Sequence, residues 1–250
     1  MAGTHPGARS AHAGPEAPAD AESRCVACHA ANLHPIPLGH AFFEWRYSAH
    51  GREGVGCEKC HGGDPAGATA ELAHRGVLPA ADPASRIHPT RLAQTCGACH
   101  AEEAAAYTGS VHAREVAEKG RGATCTTCHG AMATSLPSPA ELEARCSTCH
   151  ESHYESKAAL AMLAGAKRRL ARTREEIQAL HEGDPAWERN ALERLDELAR
   201  DYAGIQREWH TFHTPKVLQR ARDLAELIEP IRDEARKHAE LLARPDEPAP

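Results

Sequence analysis

Aromatic residues are scarce: Phe, Trp and Tyr make up 4% of the 250 residues, although aromatic side chains normally carry much of the buried area of a core. Together with 17 Pro, 19 Gly and a mean hydropathy of −0.54, that scarcity excludes an ordinary interior filled by side chains. Long apolar runs are missing as well. The longest, Ala158 to Ala166, has nine residues, whereas a membrane-spanning helix needs roughly 18 or more. An excess of positive charge is also lacking. A net charge of −6 offers none of the basic footprint that nucleic-acid binding favours.

Spare cysteines are absent too, because all ten fall in one repeated pentapeptide. The copies are Cys25-Val26-Ala27-Cys28-His29, Cys57-Glu58-Lys59-Cys60-His61, Cys96-Gly97-Ala98-Cys99-His100, Cys125-Thr126-Thr127-Cys128-His129 and Cys146-Ser147-Thr148-Cys149-His150. Composition alone predicts roughly 0.03 copies by chance for a signature of this kind. The pattern C-x-x-C-H is the attachment site of a c-type haem. Two thiols one helical turn apart can each form a thioether with one porphyrin vinyl group, and the adjacent His then faces the iron. Structural zinc prefers closed sets of four ligands, and five cysteine pairs do not divide into Cys₄ sites. A thioredoxin-like centre occurs singly within a βαβ pattern, and a disulfide framework gives no reason for the His after every second Cys. The reading is five covalently bound haem c groups with iron, and their apolar macrocycles stand in for the missing interior.

Five of the 18 His complete the motifs, and His5 and His12 lie in a leader rich in Gly, Ala and Pro that reads as disordered. Eleven others can supply the second axial ligand that an electron-transfer haem needs, while a haem that does substrate chemistry keeps that position open. They are His34, His40, His50, His74, His88, His112, His153, His181, His210, His213 and His238.

The run Trp45-Arg46-Tyr47-Ser48-Ala49-His50, followed by Gly54-Val55-Gly56-Cys57, resembles a module of multihaem c-type cytochromes. That group includes the tetrahaem electron carrier of hydroxylamine oxidation and hydroxylamine oxidoreductase. The module recurs as Tyr107-Thr108-Gly109-Ser110-Val111-His112 ahead of Cys125, and His74-Arg75-Gly76 matches another of its features. The resemblance implies that His50, His112 and His74 are distal ligands. Further on, Trp209-His210-Thr211-Phe212-His213-Thr214-Pro215 is similar to the Phe-His-x-Pro element of pentahaem cytochrome c nitrite reductases, where that His ligates a haem and opens a long helix. This implies His213 as a fourth distal ligand, with His210 its rival. The fifth lies among His34, His40, His88 and His153, and His40 is taken.

The second half reads as helices. Leu163, Leu170 and Ile177, with Ala166, Thr173 and Leu180 between them, form one stripe. Gly183 ends that helix, and Asp184-Pro185 supplies an N-cap and first-turn proline for the next. The second stripe is Leu195, Leu198, Tyr202, Ile205 and Trp209. Thr214-Pro215 opens a third helix with Val217, Ala221, Leu224, Ile228, Ile231, Ala235 and His238, and Pro230 is expected to kink or end it. His181 is placed as a cation at a helix C-terminus. Three such helices make either a small bundle over the haems or an oligomer interface.

The expected fold is therefore mainly α with little regular structure around the haems, a haem-packed core and a C-terminal bundle of long helices. The expected domains are a disordered leader over 1–23, a pentahaem domain over 24–153, a helical domain over 154–243 that supplies a distal ligand, and a tail over 244–250. Function is expected to be electron transfer through mostly bis-His haems between redox partner proteins, a quinol-oxidising membrane complex and a terminal reductase. A small reductase or oxidase of nitrogen or sulfur oxyanions with one open haem is the alternative, with Tyr154 and His153 as candidate catalytic groups. An oligomeric electron conduit is the third reading. Haem attachment predicts the periplasm or cell exterior, although residues 1–23 show no signal-peptide apolar region.

Overall fold

A computed structural model describes residues 23–31, 36–151, 153–180 and 183–243, with the side chains of 36–40 outside the description. Among the described residues all regular structure is helical, as the sequence leads one to expect. The chain divides into two compact units, Met1–Leu78 with Met132–Ser135, and Pro79–Ala131 with Leu136–Pro250.

The first unit contains α1 (Arg24–Ala31), α2 (Ile36–Arg46), α3 (Ala49–Arg52), α4 (Cys57–His61) and α5 (Ala70–Ala73). Its core is small: Val26, Phe42 and Trp45, with Cys57 and Met132 packed against them. Trp45 is fixed at its polar end, where Nε1 donates to the Val55 carbonyl at 3.1 Å. Ser48 then caps α3, its Oγ accepting from the Gly51 N–H at 3.0 Å. Gly51 has to be glycine, because a Cβ there would lie 2.2 Å from the Trp45 carbonyl oxygen.

The second unit holds a 3-10 turn at Pro89–Arg91 followed by α6 (Leu92–Gly97), α7 (Ala101–Thr108), α8 (Val111–Lys119), α9 (Cys125–His129) and α10 (Pro139–Ser147). Three long helices come next: α11 (Tyr154–Gln178), α12 (Pro185–Glu208) and, after a 3-10 turn at Trp209–Thr211, α13 (Thr214–Leu242). They pack on one another as a bundle. The stripes meet in one cluster that includes Leu163, Leu170 and Ile177 of α11, Leu195 and Ile205 of α12, and Val217, Leu224, Ile228 and Ile231 of α13. Ile177, Leu195, Ile205, Leu224 and Ile228 are fully buried. Burying a side chain of this size stabilises by roughly 1.5–3 kcal/mol, so the bundle has a conventional apolar core.

The caps are local. Asp184 Oδ1 accepts from the N–H groups of Ala186 and Trp187 at 3.1 and 3.0 Å, which starts α12 at Pro185. The cap of α13 is His213 rather than Thr214: His213 Nδ1 accepts the Lys216 N–H at 3.3 Å, while the Thr214 hydroxyl donates to Glu155 at 3.4 Å. The first long helix closes at Gln178, short of Gly183. Pro230 does not end α13, which runs on to Leu242. Pro230 and Glu226 both face solvent, so water can satisfy the carbonyl that the proline deprives of its N–H partner, while Ile228 and Ile231 stay packed.

No helix is long and apolar enough to cross a membrane among the described residues. The leader, the tail, His34 and His181 lie outside those residues, as does the side chain of His40.

Candidate haem sites

The five motifs occupy three kinds of backbone. Motif one lies inside α1. Motifs two and four are each a complete five-residue helix, α4 and α9, closed by Gly62 and Gly130 at φ 78° and 82°. Those positive angles suit glycine. Motifs three and five begin in the last turns of α6 and α10 and continue past them, with the N–H groups of His100 and His150 donating to the carbonyls of Cys96 and Cys146 at 2.9 Å. In each setting the two cysteines stand one turn apart, on neighbouring positions of a helical face.

The thiols are free of disulfides. Within the second unit, motifs three and four meet directly: Cys96 and Cys125 share a hydrogen bond that holds the Cys125 thiol below its ordinary range and raises Cys96. Burial pushes the Cys128 and Cys146 thiols up.

Imidazoles come together in pairs. His29 and His74 have ring centres 6.0 Å apart at 77°. His112 and His150 are 6.0 Å apart at 58°, and His129 and His210 are 6.1 Å apart at 12°. Each pair joins a motif His to one from elsewhere in the chain. An iron between two imidazole nitrogens, at bonds of about 2.0 Å each, separates ring centres by roughly 6 Å. The residues present therefore fit haem c.

The hydrogen bonds of the ring nitrogens add a second test. His74 Nδ1 lies 2.9 Å from the Ala70 carbonyl and His210 Nδ1 3.1 Å from the Arg207 carbonyl. A carbonyl only accepts, so in both residues Nδ1 carries the proton and Nε2 keeps its lone pair for a metal. His213 is the reverse. Its Nδ1 accepts from Lys216, which puts the proton of the neutral ring on Nε2. Among the other candidates, His50 Nδ1 bonds Thr134 Oγ1 at 2.9 Å, and His88 caps the 3-10 turn at Pro89–Arg91. His153 Nε2 lies 3.4 Å from Ser147 Oγ, and Tyr154 is 80% exposed. His238 stacks on Trp187 with centres 4.2 Å apart. Burial lowers the pKa of His112, with the charge of His150 adding to it. His61 is lowered first by burial and then by His29. Both shifts keep the rings neutral, the form that binds metal.

The resemblance between the runs around His50 and His112 extends to three dimensions. Tyr107 OH donates to the Ala123 carbonyl at 2.9 Å, two residues before Cys125, as Trp45 donates to Val55, two residues before Cys57. Ser110 caps α8 through the Ala113 N–H at 3.1 Å, as Ser48 caps α3. In both copies, therefore, an aromatic side chain ties the loop before a motif, and a serine cap fixes the His two residues on.

One feature was not legible in the sequence. Phe212 adopts φ 56°, the sole non-glycine residue with positive φ among those described. That conformation costs roughly 1–2 kcal/mol in a non-glycine residue. Its ring lies nearly perpendicular to that of His112, with centres 4.3 Å apart.

Residues 4–62 match the family model "Cytochrome c554 and c-prime", and residues 81–159 match "Cytochrome c7 and related cytochrome c". Two separate stretches of the chain are thus similar to multihaem c-type cytochromes, proteins with covalently bound haem c. A C-type polyheme cytochrome, OmcC, of Geobacter sulfurreducens is 31% identical over 115 residues, which is 43% of this chain and 14% of the relative. The chain thus spans a small part of that relative's length. No solved structure matches it. The gap between the two matched stretches holds the Leu78–Pro79 boundary, and Met132–Ser135 of the first unit lies within the second stretch.

Proposed function

We propose that this chain is a pentahaem electron carrier whose irons are mostly ligated by two histidines. Ten thiols and the proximal His29, His61, His100, His129 and His150 hold the five groups. His74, His112 and His210 complete the irons of His29, His150 and His129, and His50 and His40 are further distal ligands. Bound haem c supplies a reversible one-electron iron couple. The chain's part is to fix two imidazoles per iron, keep each ring neutral and hold neighbouring attachment sites together.

The observation that carries this reading is the set of three imidazole pairs at 6.0–6.1 Å. The hydrogen bonds of the ring nitrogens support His210 over His213 as the ligand that the bundle supplies. The presence of a His in every motif supports transfer rather than substrate chemistry. The partners would be redox proteins, a quinol-oxidising membrane complex on one side and a terminal reductase on the other, in the periplasm or at the cell exterior.

Mass spectrometry of the holoprotein should give five covalent haem additions, and its ferric EPR spectrum should be low-spin throughout. His210→Ala should turn one haem high-spin, and His213→Ala should not. A colourless, zinc-loaded product from a host that matures c-type cytochromes would overturn the haem reading. A resting high-spin iron that binds nitrite, hydroxylamine or cyanide would replace the carrier with an enzyme.

A further inference from the structure

We propose that Phe212 is the positioning residue for His112, setting the plane of that imidazole as an axial ligand. The inference rests on the reading above, in which His112 and His150 share an iron.

Three observations carry it. First, His112 lacks the restraint that its counterparts have. His74 and His210 are each held through Nδ1 by a backbone carbonyl, whereas His112 Nδ1 is buried without a hydrogen-bond partner. Polar contacts therefore leave the rotation of that ring about its outer bond undetermined. Second, the Phe212 ring stands at 84° to His112 with centres 4.3 Å apart. Edge-to-face contacts between aromatic rings are attractive and directional. Third, the backbone that delivers the ring is strained and pinned on both sides. The Phe212 N–H donates to the Trp209 carbonyl at 2.9 Å, and the His213 N–H donates to Thr211 Oγ1 at 3.2 Å. Sparsely populated conformations persist where the surroundings over-determine them, and they cluster at functional sites. Here the left-handed residue lies two positions after His210, so one short segment presents an imidazole to His129 and a phenyl ring, nearly perpendicular, to His112.

The bundle on this account governs two haems by different means. It ligates one directly through His210. It orients the ligand of the other through Phe212, which does not touch the iron. Groups that orient a metal-bound imidazole tune the metal behind it, so the plane of His112 relative to His150, 58° here, should be readable in the ferric EPR signal.

The test uses the holoprotein, with His112→Ala identifying the low-spin signal that depends on His112. Phe212→Gly removes the ring and keeps a residue suited to positive φ. Phe212→Asn does the same with a side chain that tolerates that conformation, and it serves if the glycine variant fails to mature. Phe212→Tyr keeps the aromatic ring. The expected result is a shift of the His112-dependent signal and of one midpoint potential in the Gly and Asn variants, with wild-type values in the Tyr variant. An unchanged signal in Gly and Asn overturns the proposal. So does a shift of all low-spin signals together, because Phe212 would then merely brace its segment. If His112→Ala moves no signal, the shared iron itself fails, which is a different result from an unmoved signal in Phe212→Gly.

Discussion

The bundle and the haem-bearing stretch before it, Met132–Ser135 excepted, belong to one compact unit and obey different rules of stability. Between Tyr154 and Leu242, side chains close around each other, and five large residues are wholly buried. Between Leu92 and Ser147, the buried apolar side chains are Leu92, Tyr107 and Val116, set among short helices. The second region has the hydrogen bonds and caps of a folded protein without its apolar filling. Four groups of observations agree on what supplies the filling: the thiols, the paired imidazoles, the family models and the scarcity of aromatic residues. The contrast teaches that one chain can take its cohesion from encoded side chains in one part and from an attached group in another.

The contrast breaks most completely if haem is withheld. Apoprotein made without haem attachment should keep the helicity and hydrogen-exchange protection of residues 154–242 and lose protection over 92–147. Equal protection of both regions would abolish the distinction. Next in size, Leu224→Ala should destabilise the bundle by about 2–5 kcal/mol in chemical denaturation, as expected for a buried leucine that leaves a cavity. Haem spectra should stay native up to the unfolding transition.

A helix cap gives a smaller and more informative effect. Ser110→Ala should cost about 1 kcal/mol and also perturb the haem that depends on His112, because the cap fixes the turn carrying that residue. Asp184→Ala removes the equivalent cap of α12 and should leave the haem spectrum unchanged. The smallest effect concerns pH. Burial raises Glu208, but Lys216 and Arg220 outweigh it and hold the carboxyl below its usual value of 4.5. The folded value is the lower one, so the contribution to stability is present above that pH and is lost as pH falls through the folded value. Because Arg220 is partly exposed, the gain should be under about 1 kcal/mol. Glu208→Gln should lower the denaturation midpoint near neutrality, and the difference from wild type should close in acid.

What the sequence revealed follows the same division. Cys-x-x-Cys-His needs no context, since its spacing is the chemistry, and the stripes of Leu163, Leu170 and Ile177 or of Val217, Leu224 and Ile228 are fixed by helical geometry. The cap at Asp184-Pro185 was legible because aspartate and proline act within one turn. The choice between His210 and His213 was not. Both sit in one short run, and what separates them is which ring nitrogen holds the proton, a matter of the carbonyl of Arg207 and the N–H of Lys216. Whether Pro230 ends its helix was not legible for a related reason, because its cost depends on whether the orphaned carbonyl meets water, and that depends on packing around Ile228 and Ile231. Phe212 left no trace in any pattern, since a left-handed phenylalanine is held by its surroundings rather than by propensity.

The hydrogen bond between Cys96 and Cys125 sets a hazard in time. Two thiols within hydrogen-bond reach can be joined as a cystine wherever an oxidant of the compartment accepts their two electrons. Such a cross-link would consume one anchor from each of two porphyrin sites and leave neither able to complete its second thioether. Biogenesis must therefore outrun oxidation at this spot, either by loading the third and fourth motifs before the chain closes around them or by keeping a reductant at hand until both are alkylated.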